Sequence, residues 1–335
     1  MQMKGKKVFV GLSGGVDSAV SAALLQRAGV EVTGVFIKGW YPPGLPCTWA
    51  ADRRDAMRVA ARLGIAFHTL DASHEYKRSV IDYLIAEYRA GRTPNPDVLC
   101  NRAVKFGTFY RFAKGDGADA IATGHYRSGE KDQSYFLWAV PKEILAEALF
   151  PVGQMQKERV RVLARQYRLP VAKKKDSQGI CFLGDISVEE FLKNEFGEMP
   201  GQAKDEEGRV VGRHNGVLLH TLGERVALHD AARPGPWFLL AKDIETNEMV
   251  VGRGRVPRGT LVSSVHHIRF TGTNWQGNPG EVVEAQCRYR GPKIAGRIIA
   301  DAFVTADLLS EIPTPGQSLV FYRDSELIGG ATITV

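Results

Sequence analysis

The chain has 335 residues, 44% hydrophobic and 24% charged, an ordinary globular composition that excludes a disordered or fibrous protein and leaves room for two or three domains. No apolar run approaches the roughly 20 residues of a membrane span, and the basic start MQMKGKK leads into a short strand broken by Ser13, Gly14 and Gly15, so a cytoplasmic setting without membrane contact is expected. The net charge of +7 suits a polyanionic partner such as nucleic acid, and four scattered cysteines with no C-x-x-C pair argue against a zinc site or a disulfide framework, so no protein-ligated metal is expected.

The first half alternates strand and helix. KKVFVGL leads to a helix from about Asp17, EVTGVFIKGW to a helix over DRRDAMRVAARLG, and IAFHTLDAS to a helix through VIDYLIAEYRAG. NRAVKFGTFYRFAKG then reads as a helix and ADAIATGHY as a strand. Repeated βα units of this kind predict an α/β domain with a doubly wound, mostly parallel sheet, whose ligands bind beyond the carboxyl ends of the strands. Two further helices are read in KERVRVLARQYRL and VEEFLKNEFG.

From about Pro200, Gly and Pro punctuate short runs of alternating polarity: GVLLHTLGER, PWFLLAKDIETNEMVVG, GEVVEAQCRYRG and QSLVFYRDSELIGGATITV. These predict antiparallel strands with tight turns. The expected division is a catalytic domain over 1–200, a small β-rich linking domain over 201–261 and a C-terminal β-barrel over 262–335. His266 and His267 are neighbours on a predicted strand and face opposite ways, which makes them poor joint metal ligands.

The stretch VFVGLSGGVDSAVSAALL is a strand, a glycine-rich loop and a helix, the layout of a phosphate-binding turn, yet it lacks the lysine of G-x-x-x-x-G-K-[ST]. Gly11, Gly14 and Gly15 allow close backbone approach, Ser13 and Ser18 offer hydroxyls, and the helix start offers N–H groups to an anion. A plain strand-to-helix turn capped by Asp17 or Ser18 is the alternative. The full string S-G-G-x-D-S resembles the pyrophosphate loop of the ATP pyrophosphatase superfamily. That resemblance implies a loop gripping the β and γ phosphates as a leaving group, with Asp17 helping to hold magnesium or organising the loop.

In RTPNPDVLCNRAVKFG two prolines stiffen the approach to Cys100, which is expected near a helix start, where the dipole favours thiolate; a small buried hydrophobe is the alternative reading. Asp97 could equally cap that helix. In KKKDSQGICFLGD, three lysines precede Cys181 in a Gly-flanked turn, either stabilising a thiolate or forming a solvated charge run. Cys47 and Cys287 have no partner motif and read as structural.

Taken with GLSGGVDSAVSA, CTWAADRRDA, ATGHY, KDQSYFL, FPVGQMQKERVR, HTLGER, CRYRG and PGQSLVFY, these segments make nearly the whole chain resemble the tRNA-specific 2-thiouridylases. PNPDVLCN and KDSQGICF are the specific ones. The resemblance implies that Gly11, Leu12, Ser13, Gly14, Gly15, Val16, Asp17 and Ser18 bind ATP, that Ile37 lies by the adenine, and that Gly124 completes the nucleotide pocket. It implies further that Asn95, Pro96 and Asp97 border the target base, that Cys181 carries a persulfide, that Cys100 is the partner nucleophile and that Asp97 is the acid/base group. His125, Lys131, Asp132, Gln133, Arg288, Tyr289 and Gln317 would touch tRNA. Magnesium, a persulfide donor and a thiol reductant are the accessory partners so implied.

Three stretches depart from the family pattern: GWYPPGLPCTW, the short connection GHYRSGEKDQ, and HTLGERVALHD. In CRYRG, a regular strand would put Arg288 and Arg290 on one face for phosphate and Tyr289 on the other for stacking, making the barrel a tRNA platform. The competing functions are an ATP- and RNA-binding module without chemistry, and a ligase of the same superfamily that amidates a nucleoside or small molecule. A ligase would need an amine source and no cysteine pair.

Overall fold

The computed structural model describes residues 4–43, 49–176, 186–257, 265–272, 274 and 278–334. It divides into two compact units, Met1–Asp82 with Pro96–Ile186, and Tyr83–Asn95 with Ser187–Val335. No described helix is long and apolar enough to cross a membrane.

In the first unit, β1 (Lys7–Gly11), β2 (Glu31–Lys38), β3 (Ala66–Asp71), β4 (Ala120–Ala122) and β5 (Ala148–Leu149) form one parallel sheet in the order β3-β2-β1-β4-β5. Val8, Phe9 and Val10 of the central strand are fully buried, as a parallel strand covered on both faces requires. Because β2 and β4 flank β1 on opposite sides, the loop after β1 sits where the strand order reverses, the usual crevice for a ligand in such sheets. Helix α1 (Val16–Arg27) follows, built of small residues over its buried face; the Ser21 hydroxyl is satisfied by the Asp17 carbonyl at 2.9 Å. Helix α2 (Trp49–Leu63) buries Ala56, Val59 and Ala60.

Helix α3 (Ser73–Tyr76) runs through a π turn (Lys77–Ile81) into α4 (Asp82–Arg89), and α5 (Pro96–Cys100) through a second π turn (Asn101–Thr108) into α6 (Phe109–Gly115). The second helix thus begins at Pro96, five residues before the expected start, since proline at a first helical position loses no hydrogen bond. Cys100 is its fifth residue, beyond the first turn in which the dipole acts. Two more α-helices follow among the described residues of this unit, α7 (Lys142–Ala146) and α8 (Lys157–Gln166).

The second unit contains α4 from Tyr83 on and α9 (Val188–Phe196), whose N-cap Ser187 accepts from the Glu190 amide at 3.1 Å. Strands β6 (Gly201–Lys204), β7 (Val210–His214), β8 (Arg225–Val226), β9 (Trp237–Asp243) and β10 (Glu248–Gly252) form a sheet in the order β7-β6-β10-β9-β8, in which β6 and β10 are parallel and the other pairs antiparallel. Strands β11 (His266–Thr271), β12 (Val282–Gln286), β13 (Lys293–Ile299), β14 (Ala302–Thr305), β15 (Ser318–Arg323) and β16 (Glu326–Ile333) close a barrel around Ile268, Phe270, Phe303, Leu319, Phe321 and Ile333. His266 is buried and His267 exposed, as their alternation requires.

Two predicted strands are not strands. GVLLHTLGER forms a 3-10 turn over Val217–Leu219 and the strand proper is only Arg225–Val226, because Gly216 and Gly223 take positive φ and His220 is captured by Glu224 at 2.5 Å and Asn215 at 2.9 Å. CRYRG is the turn between β12 and β13. Arg290 adopts φ 61° there, and Gln286 Nε2 donates to the Gly291 carbonyl at 2.8 Å, so the two-faced arrangement of Arg288, Tyr289 and Arg290 does not form.

Candidate active site

The loop after β1 is knitted by its own hydroxyls. Ser18 Oγ accepts from the Ser13 amide at 3.2 Å, lies 3.2 Å from Ser13 Oγ and donates to the Gly15 carbonyl at 3.2 Å. The N-cap of α1 is Gly15, with no side chain bonded to the first-turn amides, so neither Asp17 nor Ser18 is used as the cap. Gly14 has φ 75°, and a Cβ on it would lie 2.4 Å from the Asp52 carbonyl oxygen. A Cβ on Gly124, just past β4, would stand 2.8 Å from the Ser18 nitrogen and 3.1 Å from Asp17 Cβ. Only glycine permits this approach of β4's end to the start of α1.

Asp17 is the hinge of a charge network. Its Oδ1 accepts from Tyr126 Oη and from Lys157 Nζ, both at 2.7 Å, and its Oδ2 accepts from the same ammonium at 2.8 Å. Lys157, the first residue of α8, is buried to 8% exposure and also reaches Asp176 Oδ1 at 2.8 Å. Asp176 is shared further with Arg161 at 2.8 Å and Lys131 at 2.9 Å. Burial opposes ionisation of Asp176, but the bonds from Lys131 and Lys157 outweigh it and hold the carboxyl at about 2. The Tyr126 phenol is pushed up by burial and by the Asp17 carboxylate it donates to. Lys174 bridges Asp52 and Asp55 at 2.8 and 2.7 Å; burial works against its charge, yet those two carboxylates hold its pKa up. The lysine missing from the loop is thus supplied by a helix far along the chain, and it meets the loop's aspartate.

Three family models cover the chain in order: a tRNA methyl transferase HUP domain over residues 6–185, a tRNA methyl transferase PRC-barrel domain over 189–253 and an aminomethyltransferase β-barrel domain over 263–333. The tRNA-specific 2-thiouridylase MnmA of a Pseudomonas fluorescens strain is 41% identical over 98% of this chain and 94% of its own length. The chain belongs to the tRNA-specific 2-thiouridylase family. The counterpart from Pseudomonas syringae pv. syringae is 40% identical over 98% of this chain and 94% of its own. Among solved structures, the U34-tRNA thiolase NcsA from Methanococcus maripaludis is 19% identical, covering 54% of this chain and 62% of its own, with a TM-score of 0.38.

The residues expected to serve a thiouridylase fall into several groups. The loop from Gly11 to Ser18 and Gly124 come together, and Ile37 is buried near the end of β2. Asn95, Pro96 and Asp97 are consecutive and partly exposed, and Cys100 is fully buried on the same helix as Asp97. Cys181 and Cys47 lie outside the described residues. Cys287 packs partly buried against the barrel core, and burial, then the Glu311 carboxylate, push its thiol up to about 12.

His125 is buried, with Nδ1 2.8 Å from Thr123 Oγ1 and its ring against Phe106 and Phe150; burial, then Lys105 and Arg127, hold it well below 6.5 and therefore neutral. Asp132 accepts from the Ser134 amide at 2.8 Å. Gln133 exchanges bonds with Tyr126, its side-chain oxygen accepting from the Tyr126 amide at 3.0 Å and its amide donating to the Tyr126 carbonyl at 2.9 Å. In the second unit, Arg288 Nη2 donates to the Leu222 carbonyl and, at 3.3 Å, to Thr314 Oγ1, while Arg290 lies over the Tyr289 ring at 5.1 Å.

Sequence reasoning missed Lys157, Tyr126, Asp176, Lys174 and Asp52 as members of the site. Lys157 and Tyr126 stood inside family-like strings, QMQKERVR and ATGHY, but a buried lysine at a helix start has no periodic signature. The lysines before Cys181 are not simply a solvated run, since Lys174 is tied to two aspartates.

Proposed function

We propose that the chain carries out ATP-dependent 2-thiolation of the wobble uridine of tRNA in the cytoplasm. Whole-chain likeness to 2-thiouridylases carries this reading: 41% identity over 98% of the chain, with the phosphate loop and both cysteine strings present. The uridine 2-oxygen attacks the α-phosphate of ATP and pyrophosphate departs, leaving a carbon whose oxygen is now part of a good leaving group. The outer sulfur of a persulfide on Cys181 is delivered to that carbon, either directly or as sulfide released when Cys100 attacks the S–S bond. AMP leaves. The outer sulfur is reduced as the two cysteine thiols are oxidised to a Cys100–Cys181 disulfide, which an outside thiol then reduces. A persulfide donor must recharge Cys181 for each turnover.

In this reading Gly11 to Ser18, with Gly124, cradle the phosphates and Ile37 backs the adenine. Asn95, Pro96 and Asp97 border the uridine, and Asp97 moves the proton. Mg2+, when bound, neutralises phosphate charge. It ordinarily takes only one or two carboxylates plus substrate phosphates, and Asp17 fits as one donor because Oδ2 accepts a single bond from Lys157. His125, Lys131, Asp132, Gln133, Arg288, Tyr289 and Gln317 form the tRNA contact set of this reading, several of them held by intramolecular bonds.

The test is incubation of the full chain, with Cys181 charged by a persulfide donor, with ATP, Mg2+ and unmodified tRNA, followed by mass analysis of digested tRNA. AMP, pyrophosphate and 2-thiouridine are expected, and Cys181→Ser should abolish both charging and thiolation. Cys100→Ser should keep charging and lose thiolation. ADP and free phosphate as products would sink the adenylation step, and full activity of both serine variants would leave only the binding-module reading.

A further inference from the structure

Three helices of the first unit, α1, α2 and α8, end around one cleft of about 390 Å³. It lies at the opposite end of α1 from the phosphate loop, and the 12 residues of that helix set the two about 18 Å apart. Arg27, Arg62 and Arg168 line the cleft with Gln26, Gln166 and Tyr167, and no acidic residue does. Arg27 lies over the Tyr167 ring at 4.7 Å, and Arg62 Nε donates to the Arg168 carbonyl at 3.2 Å. Among the described residues, no other N–H of these three guanidinium groups meets a protein acceptor and none of the three is ion-paired.

The three helix ends are built alike, with one difference. In each, an amide reaches back five residues to a carbonyl: Val30 to Leu25 at 3.2 Å, Ile65 to Ala60 at 3.1 Å and Leu169 to Ala164 at 2.9 Å. The residue before that amide turns left-handed, Gly29 at φ 78°, Gly64 at φ 66° and Arg168 at φ 53°. Glycine is the usual occupant of this position because a side chain there is strained. Nor do the helix dipoles call for Arg168, since Arg27, Arg62 and Arg165 already stand in the last turns of α1, α2 and α8. An arginine kept in a strained backbone, beside two more guanidinium groups without a carboxylate, marks a place where an anion is held.

We propose that this cleft binds a phosphate group through Arg27, Arg62 and Arg168. Their forked donors match phosphate oxygens, and charge-assisted bonds of this kind are about twice as strong as neutral ones. The phosphate belongs to a small free anion or to an RNA backbone, and the groups that hold it are the same. The site is separate from the loop after β1 and does not depend on the thiolation reading.

The test is calorimetric titration of the full chain with inorganic phosphate, after α,β-methylene-ATP has filled the loop after β1. One phosphate should bind per chain. Arg168→Gly should weaken that binding roughly tenfold or more while the melting temperature holds or rises, because glycine relieves the left-handed turn. Arg27→Gln should weaken it to a similar extent. No phosphate bound beyond the nucleotide analogue, or equal phosphate affinity in the parent and both variants, would overturn the proposal. The salt dependence of tRNA binding separates the two sources. A log-log slope lowered by about one in Arg168→Gly assigns the cleft to an RNA backbone, and an unchanged slope with phosphate affinity lost assigns it to a small free anion.

Discussion

The loop after β1 and the loop before β15 are both short, glycine-bearing turns held by a partner distant in sequence, and they are held by different forces. At the first, Lys157 and Tyr126 seize the Asp17 carboxylate, and Asp176, Arg161 and Lys131 extend the charge outward. At the second, Pro315 and Gln317 bind the peptide of Thr93, and no charge takes part. A charge network has spare capacity: ammonium and guanidinium groups can reorient toward a polyphosphate, and their strength responds to salt and pH. A backbone clamp has neither property. The loop after β1 is thus held by charge that salt and pH can weaken, and the loop before β15 by a charge-free backbone clamp.

The contrast breaks most sharply at Asp17. Asp17→Ala should lower pyrophosphate release from ATP at least 100-fold while leaving tRNA affinity within about threefold, read by pyrophosphate assay and filter binding; equal losses in both would mean that the loop is not a separate element. Lys157→Met leaves two carboxylates without their shared cation. A fully buried pair broken this way costs about 3–5 kcal/mol, and because Asp17 and Asp176 are partly exposed a value of ~2 kcal/mol is expected from urea unfolding, with a raised KM for ATP. Gly124→Ala presses a methyl onto the Ser18 amide and should weaken ATP binding roughly tenfold, measured by calorimetry, with tRNA affinity unchanged.

Arg288→Ala sharpens the other side. Its guanidinium bonds the Leu222 carbonyl and Thr314, so the expected cost is about 1 kcal/mol of stability with no change in the salt dependence of tRNA binding. A log-log slope reduced by about one would instead establish a phosphate contact. The smallest effect is at Asp176. Its folded pKa of about 2 lies below its ordinary 3.8, so its contribution is complete above about pH 5 and is lost as pH falls toward 2. A fall from 3.8 to about 2 corresponds to ~2.5 kcal/mol, which partial exposure reduces to about 1 kcal/mol. The stability gap between the parent and Asp176→Asn should therefore shrink across that window in acid unfolding; a gap independent of pH would remove the ionic explanation.

Much of this was legible in the sequence because it is local. Alternating βα units specify a parallel sheet through hydrophobic period and length, and S-G-G-x-D-S specifies a loop through backbone freedom at Gly14 and the paired hydroxyls of Ser13 and Ser18. The barrel strand β12 likewise follows from alternation, with Val282 and Glu284 exposed and Val283 and Ala285 buried. Where glycine with positive φ or a captured side chain overrides alternation, as at GVLLHTLGER and CRYRG, the pattern misleads, since a strand signal records polarity and not the path of the chain.

Tertiary structure decided which charges meet. Asp17 stands 140 residues before Lys157, and no periodicity links a buried ammonium to carboxylates on other elements; the packing of α8 against α1 brings it to Asp17. The same holds for Thr93 and Gln317, whose bond joins an amide side chain to a main-chain carbonyl. Any residue at position 93 carries that carbonyl, so the sequence there bears no trace of the partner, and only the folded path brings the two within 2.8 Å.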